Sequence, residues 1–251
     1  MQVWLGMDSG YYAAMTGLLA RTEALDTAAE NLANAQTPGF RAEREYFRSV
    51  LLDEADMGSQ LGQTVNNYDL LGGDRLSMGQ GPLEPTGNPL DLAIEGQGFF
   101  AIQAQDGVRY TRDGSFHRSQ AGMLVTAKDE PVLSDGEKPI PVPPGEVSVG
   151  TDGALSVAGG TVARVGVFAF APGTGLAAEG ANRYVAPQGA KPMVSSDATV
   201  HEGAIESANQ NAVQGTLDLI VMQRQAEMMQ KALTTFHIEF NKFASEDLAR
   251  V

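Results

Sequence analysis

The sequence predicts a mixed α and β fold, with N- and C-terminal helices pairing as a coiled-coil-like stalk and an all-β domain inserted between them. Three observations predict it. Apolar residues recur at heptad spacing near each end, Asp-Gly dipeptides and prolines crowd the middle, and no proline falls from Gly215 to Val251. The expected partition is a helical assembly domain over 8–40 plus 203–251, an extended connector over 41–84 and an all-β outer domain over 85–202.

The first helix is expected over 8–35. Asp8 and Ser9 are candidate N-caps, and Ala, Leu, Met, Glu and Arg dominate the residues after them. Tyr11, Met15, Leu18, Thr22, Leu25, Ala29 and Leu32 are spaced 4-3-4-3-4-3, the spacing of a coiled-coil seam. The pattern then runs into Asn31-Leu32-Ala33-Asn34-Ala35-Gln36-Thr37-Pro38-Gly39-Phe40. Asn34 and Gly39 can take left-handed conformations that end a helix, and Pro38 prevents its continuation.

The connector starts charged and ends in the glycine-rich stretch LLGGDRLSMGQGP, residues 70–82. That stretch lacks the Gly-Lys-Ser/Thr of a phosphate loop and ends in proline, so it reads as a surface loop.

The middle differs in kind. Asp-Gly occurs at 106–107, 113–114, 135–136 and 152–153, a strong hairpin signal because both central positions of a type I′ turn need positive φ. Strand-like runs lie at 99–102, 108–110, 123–125 and 162–170, and prolines at 131, 139, 141, 143 and 144 block long helices. Short strands in this number suggest a sandwich or barrel.

The second helix carries Leu219, Met222, Ala226, Met229, Leu233, Phe236, Phe240 and Phe243 at 3-4-3-4-3-4-3 spacing. An isolated helix pair of this kind leaves apolar surface uncovered and is marginal in water, so other subunits are the expected cover.

Composition narrows the function. With 251 residues the chain can bury a sizeable core, and a formal charge of −14 repels nucleic acid and anionic membrane faces. Cysteine is absent, which excludes a disulfide scaffold and thiolate metal sites. No apolar run reaches the ~18 residues of a membrane span, and the first residues lack a secretory signal's basic and apolar regions. His117, His201 and His237 are far apart, without a ligand at helical spacing, and no Gly-x-Ser-x-Gly marks a nucleophile. The expectation is a non-enzyme with no cofactor and no metal. A cell-wall-binding β module with oligomerising helices is the competing reading, and a hydrolase acting on cell-wall glycans a weaker one.

Three stretches resemble one family. NLANAQTPGF (31–40) resembles the N-terminal signature of the bacterial flagellar rod and hook proteins. TGNPLDLAIEGQGFFAI (86–102), RYTRDGSF (109–116) and GMLVT (122–126) resemble its β-domain signatures, and IESANQN (205–211) with MQRQAEMMQKAL (222–233) its C-terminal helix. The chain departs from the pattern at Glu30, Ala208, Gln210 and Ala226. Residues 1–6 precede the family's customary start, which makes Met7 a candidate initiator beside Met1.

The resemblance implies a structural subunit of the flagellar basal-body rod, most like the proximal rod protein, with the distal rod protein as the alternative. It implies a subunit stacked helically, terminal helices inside and β domain outside. It also implies a rod crossing the periplasm, export through the flagellar type III apparatus without a cleavable signal, and copies of itself and other axial rod proteins as partners. The expected assembly residues are Met15, Leu18, Leu25, Asn31, Leu32, Asn34, Pro38, Gly39, Phe40, Leu219, Met222, Met229, Leu233, Phe236, Phe240 and Phe243. Phe40 is expected to anchor the connector against a neighbouring subunit, with Arg41, Arg44 and Arg48 pairing to acidic residues across the same interface.

Overall fold

The computed structural model describes residues 3–48 and 70–248, apart from 172, 181 and 196. Along the chain run helix α1 (Val3–Ala33) and strands β1 (Glu43–Arg48), β2 (Leu70–Leu76), β3 (Leu83–Pro85), β4 (Leu92–Glu95), β5 (Phe99–Ala104) and β6 (Gly107–Thr111). Then come β7 (His117–Arg118), β8 (Leu124–Val125), β9 (Val147–Val149), β10 (Ala154–Val157), β11 (Gly160–Arg164) and β12 (Val167–Ala169). The last elements are β13 (Ala177–Ala178), β14 (Arg183–Val185), β15 (Met193–Val194), β16 (Thr199–Glu202), β17 (Ala204–Glu206) and helix α2 (Ala212–Leu248). Two compact units result. One contains α1, β1, nearly all of β2 and α2; the other comprises residues 33–42 and 76–212.

Both terminal helices are present. In α1, however, Asp8 and Ser9 lie inside the helix and do not cap it, because the helix already begins at Val3. The buried side of α1 is also not the expected leucine stripe. Ala20, Ala24, Ala28 and Asn31 are buried, whereas Leu18, Leu25 and Leu32 are half-buried and Met15 and Ala29 exposed. At ~100° per residue this is a shift of about one position around the helix. Small residues line this side, and a Cβ at Gly17 would stand 3.5 Å from Met229 Cε of α2. In α2 the expected seam is the buried side. Ala226 and Leu233 are buried and Leu219, Met222 and Met229 half-buried. Phe236, Phe240 and Phe243 lie on the α2 backbone, and their side chains fall outside the described residues.

The expected loop at 70–82 is strand β2 for its first seven residues, paired with β1. The centre of the expected connector, 49–69, lies outside the described residues.

In the second unit the strands divide among several antiparallel sheets and do not form one closed sheet. The largest has the order β13-β14-β6-β5-β12-β15, beside a three-stranded β11-β10-β9 sheet and the pairs β16-β4, β17-β3 and β7-β8. Strand β5 shows why the unit holds together. Phe100 and Ile102 join one apolar cluster with Leu92, Ile94, Phe116 and Leu155, while Phe99 and Ala101 join another with Tyr110, Phe168 and Tyr184. A strand buried on both faces needs a continuous apolar run, and Phe99-Phe100-Ala101-Ile102 supplies it. The run expected over 162–170 is split into β11 and β12 at Val165, which bridges to Ser134.

The turns correct the hairpin reading. None of the four Asp-Gly aspartates has positive φ, so they are not type I′ turns. The turn with both central residues at positive φ is Ala158-Gly159, at 49° and 82°, closing β10 onto β11 through the Val157↔Gly160 pair. An alanine there is strained, because its Cβ crowds the following carbonyl. Ala158→Asn should therefore stabilise the protein by about 1 kcal/mol, since Asn tolerates this region. Urea unfolding followed through the β unit measures it, and an unchanged midpoint would show the turn to be unstrained.

Candidate functional site

The site is the place where the segment after α1 and the segment before α2 meet the β unit. Its N-terminal part is made by local turn chemistry. Thr37 N–H donates to Asn34 O, and Phe40 N–H donates to Thr37 O. Thr37-Pro38-Gly39-Phe40 is a turn with proline second and glycine third, and Gly39 has φ of 69°. That is the residue pattern of a type II turn. Gly39 is required twice over, because a Cβ there would lie 2.1 Å from Asp113 N and 2.3 Å from Arg112 C. Asn34 is not in the left-handed region; it ends the helix as a turn acceptor.

The next residue is a buried cation. Arg41 is 2% exposed, and its guanidinium contacts Glu206 Oε1 at 2.7 Å. Glu206, 0% exposed, uses its second oxygen for Arg112 Nη1 at 2.9 Å and accepts Gly81 N–H on the first at 2.8 Å. Arg112 is 2% exposed and donates also to Ile94 O and Gly96 O, with its guanidinium carbon 5.4 Å from the Phe99 ring centroid. Arg41 donates to Gly79 O as well. One carboxylate thus bridges two buried guanidinium groups from residues far apart in the chain. Burial pulls the Arg112 pKa down to about 10, with Arg41 adding to the effect and Glu206 opposing it. Arg112 therefore remains charged at neutral pH.

Backbone groups complete the clasp. Gly39 N–H donates to Glu206 O at 2.7 Å, and Asn209 N–H donates to Phe40 O at 3.2 Å. Asn209 Oδ1 accepts from Ala42 N–H, and its amide nitrogen donates to Ser77 O and Gly79 O. Tyr184 Oη accepts Arg41 N–H at 2.9 Å and donates to Gly39 O. Gly81 belongs to the same packing, because a Cβ there would lie 2.0 Å from Ser207 O. Phe40 is 7% exposed and packs with Ala42 and Ala208 of its own chain. This corrects two expectations. Phe40 spends its surface inside the chain and not against a neighbour, and Arg41 pairs internally with Glu206. The departure at Ala208 is a small residue beside the Phe40 ring.

Of the other expected assembly residues, Asn31 is tied within the first unit. Its amide donates to Glu43 O at 2.8 Å and accepts Glu43 N–H at 2.9 Å, closing the end of α1 onto the start of β1. Pro38 and Gly39 belong to the clasp turn. Arg112, Glu206, Tyr184 and Asn209 were not expected. The sequence signal for Arg112, Glu206 and Asn209 lies in RYTRDGSF and IESANQN, but nothing local says that these stretches meet, and Tyr184 lies in neither.

The electrostatics make Glu206 the group on which the clasp rests. Removing one partner of a buried ion cluster leaves charge without compensation, at a cost of about 3–5 kcal/mol. Glu206→Gln should lose roughly that much stability in urea unfolding of the full chain, whereas Asp152→Asn, which breaks the exposed Arg164 pair, should stay within about 1 kcal/mol. Equal effects would show that the clasp is no more than a surface pair.

Comparison with known proteins finds relatives over most of the chain. Residues 93–157 match the family described as flagellar hook protein FlgE/F/G D1 domain, and residues 12–41 match the family described as flagella basal body rod protein. The chain is 34% identical to the flagellar basal-body rod protein FlgF of Caulobacter vibrioides over 98% of its own length and 100% of the relative's. It is 33% identical to the flagellar basal-body rod protein FlgF of Escherichia coli, covering 91% of this chain and 94% of that one. With the flagellar basal-body rod protein FlgG of Bacillus subtilis the identity is 30%, over 89% and 93%. With matches at both the helical signature and the β unit, and relatives aligned end to end, the chain belongs to the flagellar basal-body rod protein family.

Proposed function

We propose that the chain is a non-enzymatic proximal rod subunit that self-assembles helically through its terminal helices and carries torque toward the hook. One observation carries the reading: α2 exposes large apolar side chains on the side opposite its buried one, interspersed there with Arg224 and Lys231. Val213, Leu217, Ile220, Val221, Met228 and Ile238 are exposed, Val213 at 73% and Met228 at 63%. At ~100° per residue these six fall within about 100° of one another, roughly opposite Met222, Ala226, Met229 and Leu233. Large apolar side chains exposed in this number on one side of a helix mark an interaction surface, and the cations among them can pair with carboxylates of a neighbour. Copies of this chain and other axial rod proteins are the proposed cover. Leu19 and Met15 of α1, both exposed, extend the same kind of surface.

The proximal position is favoured by the relatives. Those named FlgF share 32–35% identity with the chain, and those named FlgG 30–31%. Passage through the type III export apparatus and a location in the periplasmic part of the basal body go with this reading. Of the expected assembly residues, Met15, Leu18, Leu25, Leu32, Leu219, Met222, Met229, Leu233, Phe236, Phe240 and Phe243 are retained as the helical interface. Asn31, Asn34, Pro38, Gly39 and Phe40 are assigned instead to holding that interface's ends within the chain.

Burying one large apolar side chain contributes about 1.5–3 kcal/mol, so two charges placed on the exposed face should stop assembly outright. Val221→Asp with Met228→Asp is expected to keep the monomer's helical circular dichroism and the β unit's unfolding midpoint. The same variant should fail to enter isolated basal bodies and to restore swimming in cells lacking the wild-type chain. Normal swimming by that variant would sink the assignment of this face.

A further inference from the structure

The four Asp-Gly dipeptides share one latent chemistry, and the fold treats them differently. At such a dipeptide the glycine nitrogen can attack the aspartate Cγ. An N–C bond forms, the side-chain carboxyl loses its hydroxyl, and that hydroxyl leaves as water with the amide proton. The resulting succinimide takes water back at either carbonyl and opens to the original peptide or to a β-linked isoaspartate. No oxidant or co-reactant is needed. The reaction needs a free carboxyl, a free glycine N–H and local mobility.

Three of the four sites deny one of these. Asp113 accepts Ser115 N–H and the Asn182 amide at 3.0 and 2.7 Å, and a Cβ at Gly114 would lie 1.6 Å from Leu92 O. Asp152 accepts Ala154 N–H and pairs with Arg164, while Gly153 N–H donates to Gly150 O. Gly107 is a ladder residue of β6 paired with Ala104.

Asp135-Gly136 is the exception. Both residues are exposed at the tip of a turn closed by Glu137 N–H on Ser134 O and Ser134 N–H on Lys138 O. Among the described residues, neither the Asp135 carboxylate nor the Gly136 N–H has a hydrogen-bond partner. The next residue, Glu137, is held at φ of 57°, a conformation that costs a non-glycine residue energy.

We propose that Asp135-Gly136 is a covalent modification site, converting spontaneously through a succinimide to isoaspartate in the folded protein. The conversion inserts a methylene carbon into the main chain of the turn. It disturbs the Asp135 N–H bond to Arg164 O and the neighbouring Ser134↔Val165 bridge, both next to buried Leu133.

Ageing the full chain at mildly alkaline pH in heavy-oxygen water, then mapping peptides by a method that separates β- from α-linked aspartate, tests this. The 135–136 peptide should take up label and isomerise at roughly tenfold the rate of the other three, the ratio set by ~1.4 kcal/mol of local opening free energy. In urea the four sites should react at similar rates, and Asp135→Glu should abolish the fast conversion. Comparable rates at all four in the folded chain, or a spread that persists in urea, would overturn the proposal.

Discussion

The structure depends on a carboxylate that cannot be left alone. Glu206 is fully buried, and a buried anion without partners is too costly to persist. Its partners come from two distant places, Arg41 just after α1 and Arg112 at the end of β6, with Gly81 N–H as a third contact. None of these interactions is local, so the cluster forms only when the chain on both sides of the β unit has found its place. The cations are as dependent on Glu206 as it is on them, and each relieves part of its own desolvation on carbonyls of Gly79, Ile94 and Gly96. Such a cluster adds little net stability compared with an apolar one of equal volume. Its effect is to penalise any packing that separates the three segments.

Legibility followed the range of the interactions involved. Strand β5 could be read from Phe99-Phe100-Ala101-Ile102 because burial on both faces leaves a run with no alternation. On α2 the described part of the expected stripe, from Leu219 to Leu233, lies on the helix's buried side. The α1 face departs from the expected leucine stripe because small residues, Ala20, Ala24 and Ala28, are the buried ones, with Gly17 beside Met229 of α2. Asp-Gly was misread because the dipeptide serves several turn geometries, and the type I′ site fell to Ala158-Gly159. The stop at Thr37-Pro38-Gly39 was legible as a stop, since proline and glycine act locally. That Phe40 and Arg41 would turn inward was not, because Ala208, Glu206 and Tyr184 lie more than a hundred residues away in sequence.

The two faces of α2 bear on why such a chain assembles at all. A helix with one apolar stripe can satisfy it inside its own subunit and stop there. The apolar side chains exposed opposite it, Val213, Leu217, Val221 and Met228 among them, are not covered that way, and burying them favours association. Small residues on α1 complement this arrangement. They are the buried residues of α1, while Leu19 and Met15 are exposed. The β unit carries no comparable demand, because its large apolar residues are mostly consumed by its two clusters.

The clasp and the helical faces are linked by chain continuity. Segment 33–42 continues α1, and segment 203–212 runs into α2. The two segments are hydrogen-bonded to each other through Gly39 to Glu206 and Asn209 to Phe40, and β17 pairs with β3 alongside. Within the β unit, the segment that follows α1 and the segment that precedes α2 are therefore fastened to each other. A load arriving along either flanking segment meets a cross-linked pair with a buried ion cluster beneath it, so displacing one segment disturbs the partners of the other. A rod subunit needs this property, since a β body hung on one unpaired strand would yield locally before passing force on. Placing the charge cluster at the crossing, where only three distant segments together can satisfy it, makes yielding cooperative and hence rare.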